Sequence, residues 1–390
     1  MYIVKCDDTT IYDPRIDELA LENAVLNLEV NTAGSFSITV PYNHPYYNLI
    51  NNNHTAVFSV LENEEILFKG KMYDCQKDFD LNLEIQIEGL LSTLADYYSE
   101  PFDVSSKAKW KDYNKPDSQS YVKYFINHFI IDKFNGVSAD IKDNLNIDFS
   151  ACKFTLGEMT VNYIDSNGNY LPIYRSSEDR ISLWSIVSDK LFDSTLKGYV
   201  YMTYADDKNI FNYVKNFVDT NSQEIEFGEN LLDLTDDTVS SDITTALYPV
   251  GDDNLIIHGY GTNYPNEPKP GDTFGTNNDL FFYNGRFISK TNIKKYGYRE
   301  KSIKFDGITT VNALITKAVS YMQSSEVKLK RTINVSAFDL SLSNAEIEAL
   351  RYCKKCVVKS TPHKIKATYN LTKIDIDLIS PQNTEIQLTN

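Results

Sequence analysis

The 390 residues carry 38 basic and 54 acidic side chains, a net charge of −16, with 42% apolar and 24% charged residues. This acidic balance argues against binding to nucleic acid by phosphate neutralisation, which needs clustered Lys and Arg, and no run approaches the roughly 18 apolar residues of a membrane helix. The length predicts two to four domains, and 27 Tyr and 20 Phe against 2 Trp lean the chain toward β-structure.

Met1 to Arg15 lacks the basic-then-apolar pattern of a signal peptide, which predicts folding in a cytoplasm. The first hundred residues read as successive strands. Leu26–Val30 and Ser35–Val40 flank the turn-prone Asn31-Thr32-Ala33-Gly34, and Pro41 and Pro45 stop the second strand. Ala56–Leu61 and Glu65–Tyr73 form a predicted hairpin around Glu62-Asn63-Glu64. Leu81–Glu88 alternates Leu83, Ile85 and Ile87 with Glu84, Gln86 and Glu88 until Gly89 breaks it. Leu90–Tyr98 carries a short helical pattern ended by Pro101.

The next stretch is mixed. Lys107–Gln119 has no periodicity and reads as a loop. Ser120–Phe134 reads as a helix closed by Asn135-Gly136. Asn162–Tyr174 is expected to turn as a hairpin at Asn167-Gly168, Ser182–Phe192 to be helical, and Gly198–Tyr204 with Asn209–Val214 to form a hairpin. Beyond Gln223, Glu224–Phe227 and Thr244–Val250 read as short strands. Asp252–Thr276, rich in Gly, Pro, Asn and Asp, reads as an exposed loop. Phe281–Ile288 is a hairpin around Asn284-Gly285, Thr309–Gln323 a helix, and Thr332–Phe338 a strand. Asn344 is placed to cap a short helix to Leu350, and Lys354–Thr389 returns to strands, with Ile374, Ile376 and Leu378 on one face.

Catalytic motifs are missing. None of His44, His54, His128, His258 and His363 lies within four residues of another, so no local zinc motif exists. No phosphate-cradling loop occurs; Gly259-Tyr260-Gly261 reads as a turn. Asp165-Ser166-Asn167-Gly168-Asn169 departs from a calcium loop in the place of its glycine. The five cysteines (Cys6, Cys75, Cys152, Cys353, Cys356) are scattered and read as thiols. Cys353-Lys354-Lys355-Cys356 is the one tempting pair. Its lysines would favour thiolate, yet strand-like Val357-Val358 follows where a redox motif should open a helix. No catalytic, cofactor-binding or metal-ligating residue is assigned.

Four segments together resemble the phage tail hub family described as prophage endopeptidase tail or tail-associated lysin. They are Glu29–Phe36 leading to Val40-Pro41 and His44-Pro45; Phe68–Lys71 with Glu88–Leu91 and Leu94–Asp96; Phe227–Leu234 running into Asp242–Gly251; and Ala337–Leu340 ahead of Thr361-Pro362-His363. The resemblance implies an α+β, β-rich fold of two related antiparallel β-barrel tube domains around a mixed α/β domain. Residues 1–101 would be the first barrel, 102–221 the mixed domain, and 222–390 the second barrel, with 254–301 an insertion packing on the middle domain. It further implies a structural baseplate hub at the distal end of a bacteriophage or prophage tail, assembled in the host cytoplasm. Three copies would form a ring that closes or continues the tail tube. The implied partners are the chain itself as a homotrimer, the distal tail protein ring, the tape-measure protein, and a tail fibre or receptor-binding protein.

Lysin-bearing members continue past the hub, whereas this sequence stops at Asn390 after the closing strands, so the endopeptidase label is not carried over and no enzyme is expected. Two other readings stay open: a cell-wall peptidase using residues such as Cys152 and His128, and a glycan-binding tail-tip module using Tyr260–Tyr264.

Overall fold

The computed structural model describes residues 1–53, 55–145, 152–164, 168–192, 196–205, 208–239, 243–259, 267–305, 307–324, 327, 330–344 and 346–389. The first strands are β1 (Tyr2–Cys6), β2 (Thr9–Tyr12), β3 (Asn23–Glu29), β4 (Ser35–Val40), β5 (Val57–Glu62), β6 (Glu65–Lys77) and β7 (Leu83–Gly89), with helix α1 (Tyr47–Asn52) between β4 and β5. Alternation drives them. Ala24, Leu26, Leu28, Phe36, Ile38, Val40, Leu83, Ile85 and Ile87 all turn inward and are buried. The middle of the chain adds β8 (Phe102–Asp103), α2 (Lys107–Trp110), α3 (Tyr121–Ile126), α4 (Asp132–Leu145), β9 (Phe154–Met159), β10 (Ser176–Ser177), α5 (Leu183–Val187), β11 (Tyr199–Ala205) and β12 (Lys208–Val214). Its own core gathers Phe102, Trp110, Phe125, Phe129, Phe134, Phe154, Phe211 and Tyr213.

The remainder holds β13 (Ile225–Glu226), β14 (Leu231–Val239), β15 (Ala246–Val250), β16 (Thr273–Phe274), β17 (Leu280–Tyr283), β18 (Arg286–Ser289), α6 (Lys290–Tyr296), β19 (Glu300–Lys304), α7 (Val311–Gln323), β20 (Lys330–Ala337), β21 (Lys355–Ser360), β22 (Ile365–Asp377) and β23 (Glu385–Thr389). Strands β15 to β19 form a separate five-stranded sheet, covered by α7 over Leu247, Phe282, Phe287 and Leu314.

All other strands of the first and last parts share one 13-stranded sheet. Within it the pairing order β3-β4-β7-β6-β5-β1 is matched by β14-β20-β23-β22-β21-β13. The copies agree in detail. The central strands β6 and β22 are each 13 residues long. Each bulges once against its hairpin partner, after Met72 in β6 and after Leu371 in β22. Aligning the bulges superposes Glu84-Ile85-Gln86-Ile87 on Glu385-Ile386-Gln387-Leu388. It also superposes Phe36-Ser37-Ile38-Thr39 on Ile333-Asn334-Val335-Ser336. Two copies of one pairing order therefore lie side by side, alike except at the last strand, where β1 runs antiparallel to β5 but the short β13 runs parallel to β21. The β-rich mix of helices and antiparallel sheets is as expected, but among the described residues the strand pairing closes no barrel, because the two copies run on into one another.

Several local expectations fail for physical reasons. Lys107–Gln119 is not all loop: Ser106 caps α2, which buries Trp110, and the indole N–H of Trp110 donates to the Ile173 carbonyl at 2.7 Å. Asn135-Gly136 does not end its helix, which continues through a π turn and α4 to Leu145. The Asn135 amide is used instead to clamp Phe154, donating to its carbonyl and accepting from its N–H. Asn344 caps no helix; its side chain accepts from the Glu346 N–H in a turn. Strands β1, β2, β8, β9, β10, β14, β16 and β19 and helices α1 and α6 lie where the sequence suggests no such element. The Asn167 turn centre and Tyr260-Gly261 lie outside the described residues.

Gly70 and Gly89 face each other on β6 and β7 over Phe68. A Cβ on Gly89 would stand 1.8 Å from the Ala33 carbonyl oxygen, so backbone must move. Gly89→Ala is expected to lower stability by about 1–3 kcal/mol, the usual range for overpacking, measured as a lower midpoint in urea.

Candidate assembly interface

The two copies are joined by one strand pair. β3 runs antiparallel to the C-terminal half of β22, from Glu29 opposite Lys373 to Val25 opposite Asp377. On the inner face Leu26 and Leu28 meet Ile374 and Ile376, all buried. On the outer face the Asn27 amide donates to Asp375, and the Lys373 ammonium lies 2.9 Å from Asp375 with Glu29 opposite. Leu378 extends the pairing: its N–H donates to the Ala24 carbonyl at 2.8 Å, the Tyr12 hydroxyl donates to its carbonyl at 3.3 Å, and its side chain is 3% exposed.

A second tie is ionic. Arg351 reaches from the second copy to Glu62 and Glu65 of the first, at 2.8 Å from Glu65. The Glu62 side chain is 1% exposed, and its attraction to that guanidinium offsets the cost of burying it. The middle part is pinned to the same seam. The Asn31 N–H donates to the Val200 carbonyl at 2.8 Å, and the Val200 N–H donates to the Asn31 side chain at 2.7 Å.

Each copy also leaves the matching surface unused. In the first copy, β6 pairs with β5 through Glu65–Lys71 and with β7 through Gly70–Lys77. Among the described residues no strand pairs with the Tyr73–Lys77 edge that points away from β7. In the second copy, β14 is the end strand of the sheet; apart from one bridge between Leu231 and Phe227, among the described residues it pairs with β20 alone. Exposed apolar side chains mark both places: Tyr73 at 75%, Phe79 at 99% and Leu232 at 61%.

Reactive chemistry is not assembled. The Cys353 and Cys356 thiols are not activated by their lysines; burial pushes Cys353 well above its ordinary pKa and Cys356 up to about 12. Cys356 accepts from the Asn221 amide at 3.2 Å and is a core thiol. His128 stacks on Tyr124 and abuts Tyr113 and Phe129, with burial lowering its pKa. Cys152 is buried in the core of the middle part. Ser360 Oγ lies 2.6 Å from His363 Nδ1, but Ser360 is buried beneath a hairpin tip, out of a substrate's reach. Among the described residues no cluster of three His, Cys, Asp or Glu could hold a metal. A cleft of about 990 Å³ along the seam is lined by Leu28, Tyr204, Leu350, Arg351 and Ile374 and by no His or Cys. It lies where the two copies and the middle part meet. Tyr260–Tyr264 lie outside the described residues.

Sequence reading missed Arg351, Leu378 and the free edges. The repeated Glu-Ile-Gln-Ile and Glu-Ile-Gln-Leu quartets were the signal that could have revealed the duplicated topology.

Residues 218–390 match the family model described as prophage endopeptidase tail. No curated protein matches. Among solved structures, the chain is similar to a tail protein from Neisseria meningitidis MC58, with TM-score 0.57, 10% identity, and coverage of 100% of this chain and 96% of that one. It is also similar to the 43 kDa tail protein of prophage MuSo2 from Shewanella oneidensis, with TM-score 0.58, 10% identity, and 100% and 97% coverage. Prophage tail protein gp18 from Listeria monocytogenes EGD-e gives TM-score 0.52, 12% identity, and 100% and 94% coverage.

Replacing Arg351 with Met strands Glu62 without its partner. The expected cost is about 2–4 kcal/mol, somewhat below the range for breaking a fully buried pair because Arg351 keeps some solvent contact. Calorimetry should find the R351M/E62Q double variant more stable than R351M alone. Residues 218–390 thus carry the pattern of the prophage endopeptidase tail family model, and the fold along the whole length of the chain is similar to that of the solved tail proteins.

Proposed function

We propose that this protein is a structural baseplate hub subunit at the distal end of a phage or prophage tail, where three copies form a ring that closes or continues the tail tube. The observation that carries this reading is the duplicated topology. Each chain contributes two equivalent units joined by a head-to-tail strand pair, and a head-to-tail contact repeated between chains generates a ring when the rotation closes. Three chains then supply six quasi-equivalent wall segments. In this reading 1–101 and 222–390 are the tube domains, barrel-like only once neighbours complete them, and 102–221 is the mixed domain outside the wall. The segment 254–301 is an insertion of the second tube domain that leans on the middle part. The contacts of Tyr174 with Gly307 and of Lys317 in α7 with Tyr163 join the segment that follows the insertion to the middle part.

The work of such a subunit is mechanical. It needs large complementary surfaces for the distal tail protein ring, the tape-measure protein and a fibre or receptor-binding protein, not perturbed catalytic groups. The protonated, buried thiols and the aromatic setting of His128 support a non-enzymatic role over a cell-wall peptidase.

Electron microscopy of tail tips tests the reading. Particles containing this chain are expected to show a threefold ring with a central hole, and a solid or twofold particle would refute it. Zymography on bacterial cell walls is expected to give no clearing zone.

A further inference from the structure

We propose that β14 of one copy docks antiparallel on the free edge of β6 of the next copy, in the register that β3 takes on β22 within each chain. This rests on the ring-forming reading above and names the surface and residues that would make the ring.

The argument is one of equivalence. The aligned bulges map Lys373-Ile374-Asp375-Ile376-Asp377 of β22 onto Asp74-Cys75-Gln76-Lys77-Asp78. The β20 and β4 registers map Val25-Leu26-Asn27-Leu28-Glu29 of β3 onto Thr235-Asp236-Asp237-Thr238-Val239. The intrachain pair therefore predicts the interchain pair: Asp78 opposite Thr235, Lys77 opposite Asp236, Gln76 opposite Asp237, and Cys75 opposite Thr238.

Two independent features fit that register. The first is chemical. Within the chain an amide on β3, Asn27, stands opposite a carboxylate on β22, Asp375. Between chains the equivalent positions carry Gln76 and Asp237, the same amide–carboxylate pairing with the partners exchanged, and Lys77 opposite Asp236 adds opposite charge, which favours a cross-strand pair. The second is burial. Leu378, one residue past β22, is 3% exposed because the first copy covers it, while its register equivalent Phe79 is 99% exposed in a single chain. A second copy of this chain is the occupant that would cover Phe79 as the first unit covers Leu378. The free β6 edge has Cys75 and Lys77 where β22 has Ile374 and Ile376. The interchain contact should therefore be weaker than the intrachain one and form fully at the high local concentration of an assembling tail.

The register supplies its own probe. Antiparallel partners have Cα atoms about 4.5–5.5 Å apart, within the span of a disulfide. Cys75 is half-buried on the free edge, so Thr238→Cys alone should suffice. The purified full-length T238C chain, concentrated and mildly oxidised, is expected to form covalent oligomers whose digest contains the 75–238 disulfide. C75S/T238C should form none, and adding Phe79→Asp to T238C should cut the yield at least tenfold. Trapping accumulates even transient pairs, so a T238C chain that keeps both thiols titratable overturns the docking. Covalent oligomers joined at other positions would overturn this register while leaving the ring standing. A 75–238 ladder running past three copies without closing would uphold the strand pair and refute the trimeric ring.

Discussion

The antiparallel pairing of β3 with β22 is the contact on which the architecture depends. It joins residues 25–29 to residues 373–377, almost the whole length of the chain apart, and converts two separate sets of strands into one sheet. Closing so long a loop costs conformational entropy. The offset comes from burying Leu26, Leu28, Ile374, Ile376 and Leu378 together and from satisfying edge N–H and C=O groups that would otherwise face water. The middle part sits in the intervening chain and is fastened to the same seam by Asn31 on Val200. The five-stranded unit around β15 to β19 is an excursion between β14 and β20.

A repeated unit with an unlike pair of edges has a structural consequence. Within one chain the β3 type of edge meets the β22 type of edge once, and one of each type is left over. Most soluble proteins protect exposed sheet edges by shortening, charging or covering them. Here the leftover edges are long and carry Tyr73, Phe79 and Leu232 exposed beside them. Asp74, Lys77, Asp233, Asp236 and Asp237 put charge on the same edges, and the proposed docking of a neighbouring chain would cover them. A net charge of −16 favours mutual repulsion between such chains.

Much of the strand architecture was legible because its signals are local. Alternation in Leu83–Ile87 and Ile374–Leu378, and Asn284-Gly285 with both residues at positive φ, are decided within a few residues. What sequence could not yield was decided at a distance. Asn135-Gly136 looks like a helix stop, but the Asn135 amide is claimed by Phe154 across the core. Cys353 and Cys356 look activated by two lysines, but burial outweighs those charges. β14 is acidic and falls between the strands expected at Glu224–Phe227 and Thr244–Val250, and it forms a strand along the edge that β20 offers. The continuous sheet was hidden for the same reason, since no local pattern announces that β3 will meet β22.

Hydrogen–deuterium exchange, compared between the isolated chain and assembled tails, tests the shared-edge account most directly. The account predicts that amides of residues 25–29 and 373–377 are protected in both states. Those of Tyr73–Lys77 and Leu231–Val239 facing the free edges should exchange quickly in the isolated chain and slow on assembly. Rapid exchange at 373–377 in the isolated chain, or free-edge amides that stay fast in the tail, would contradict it.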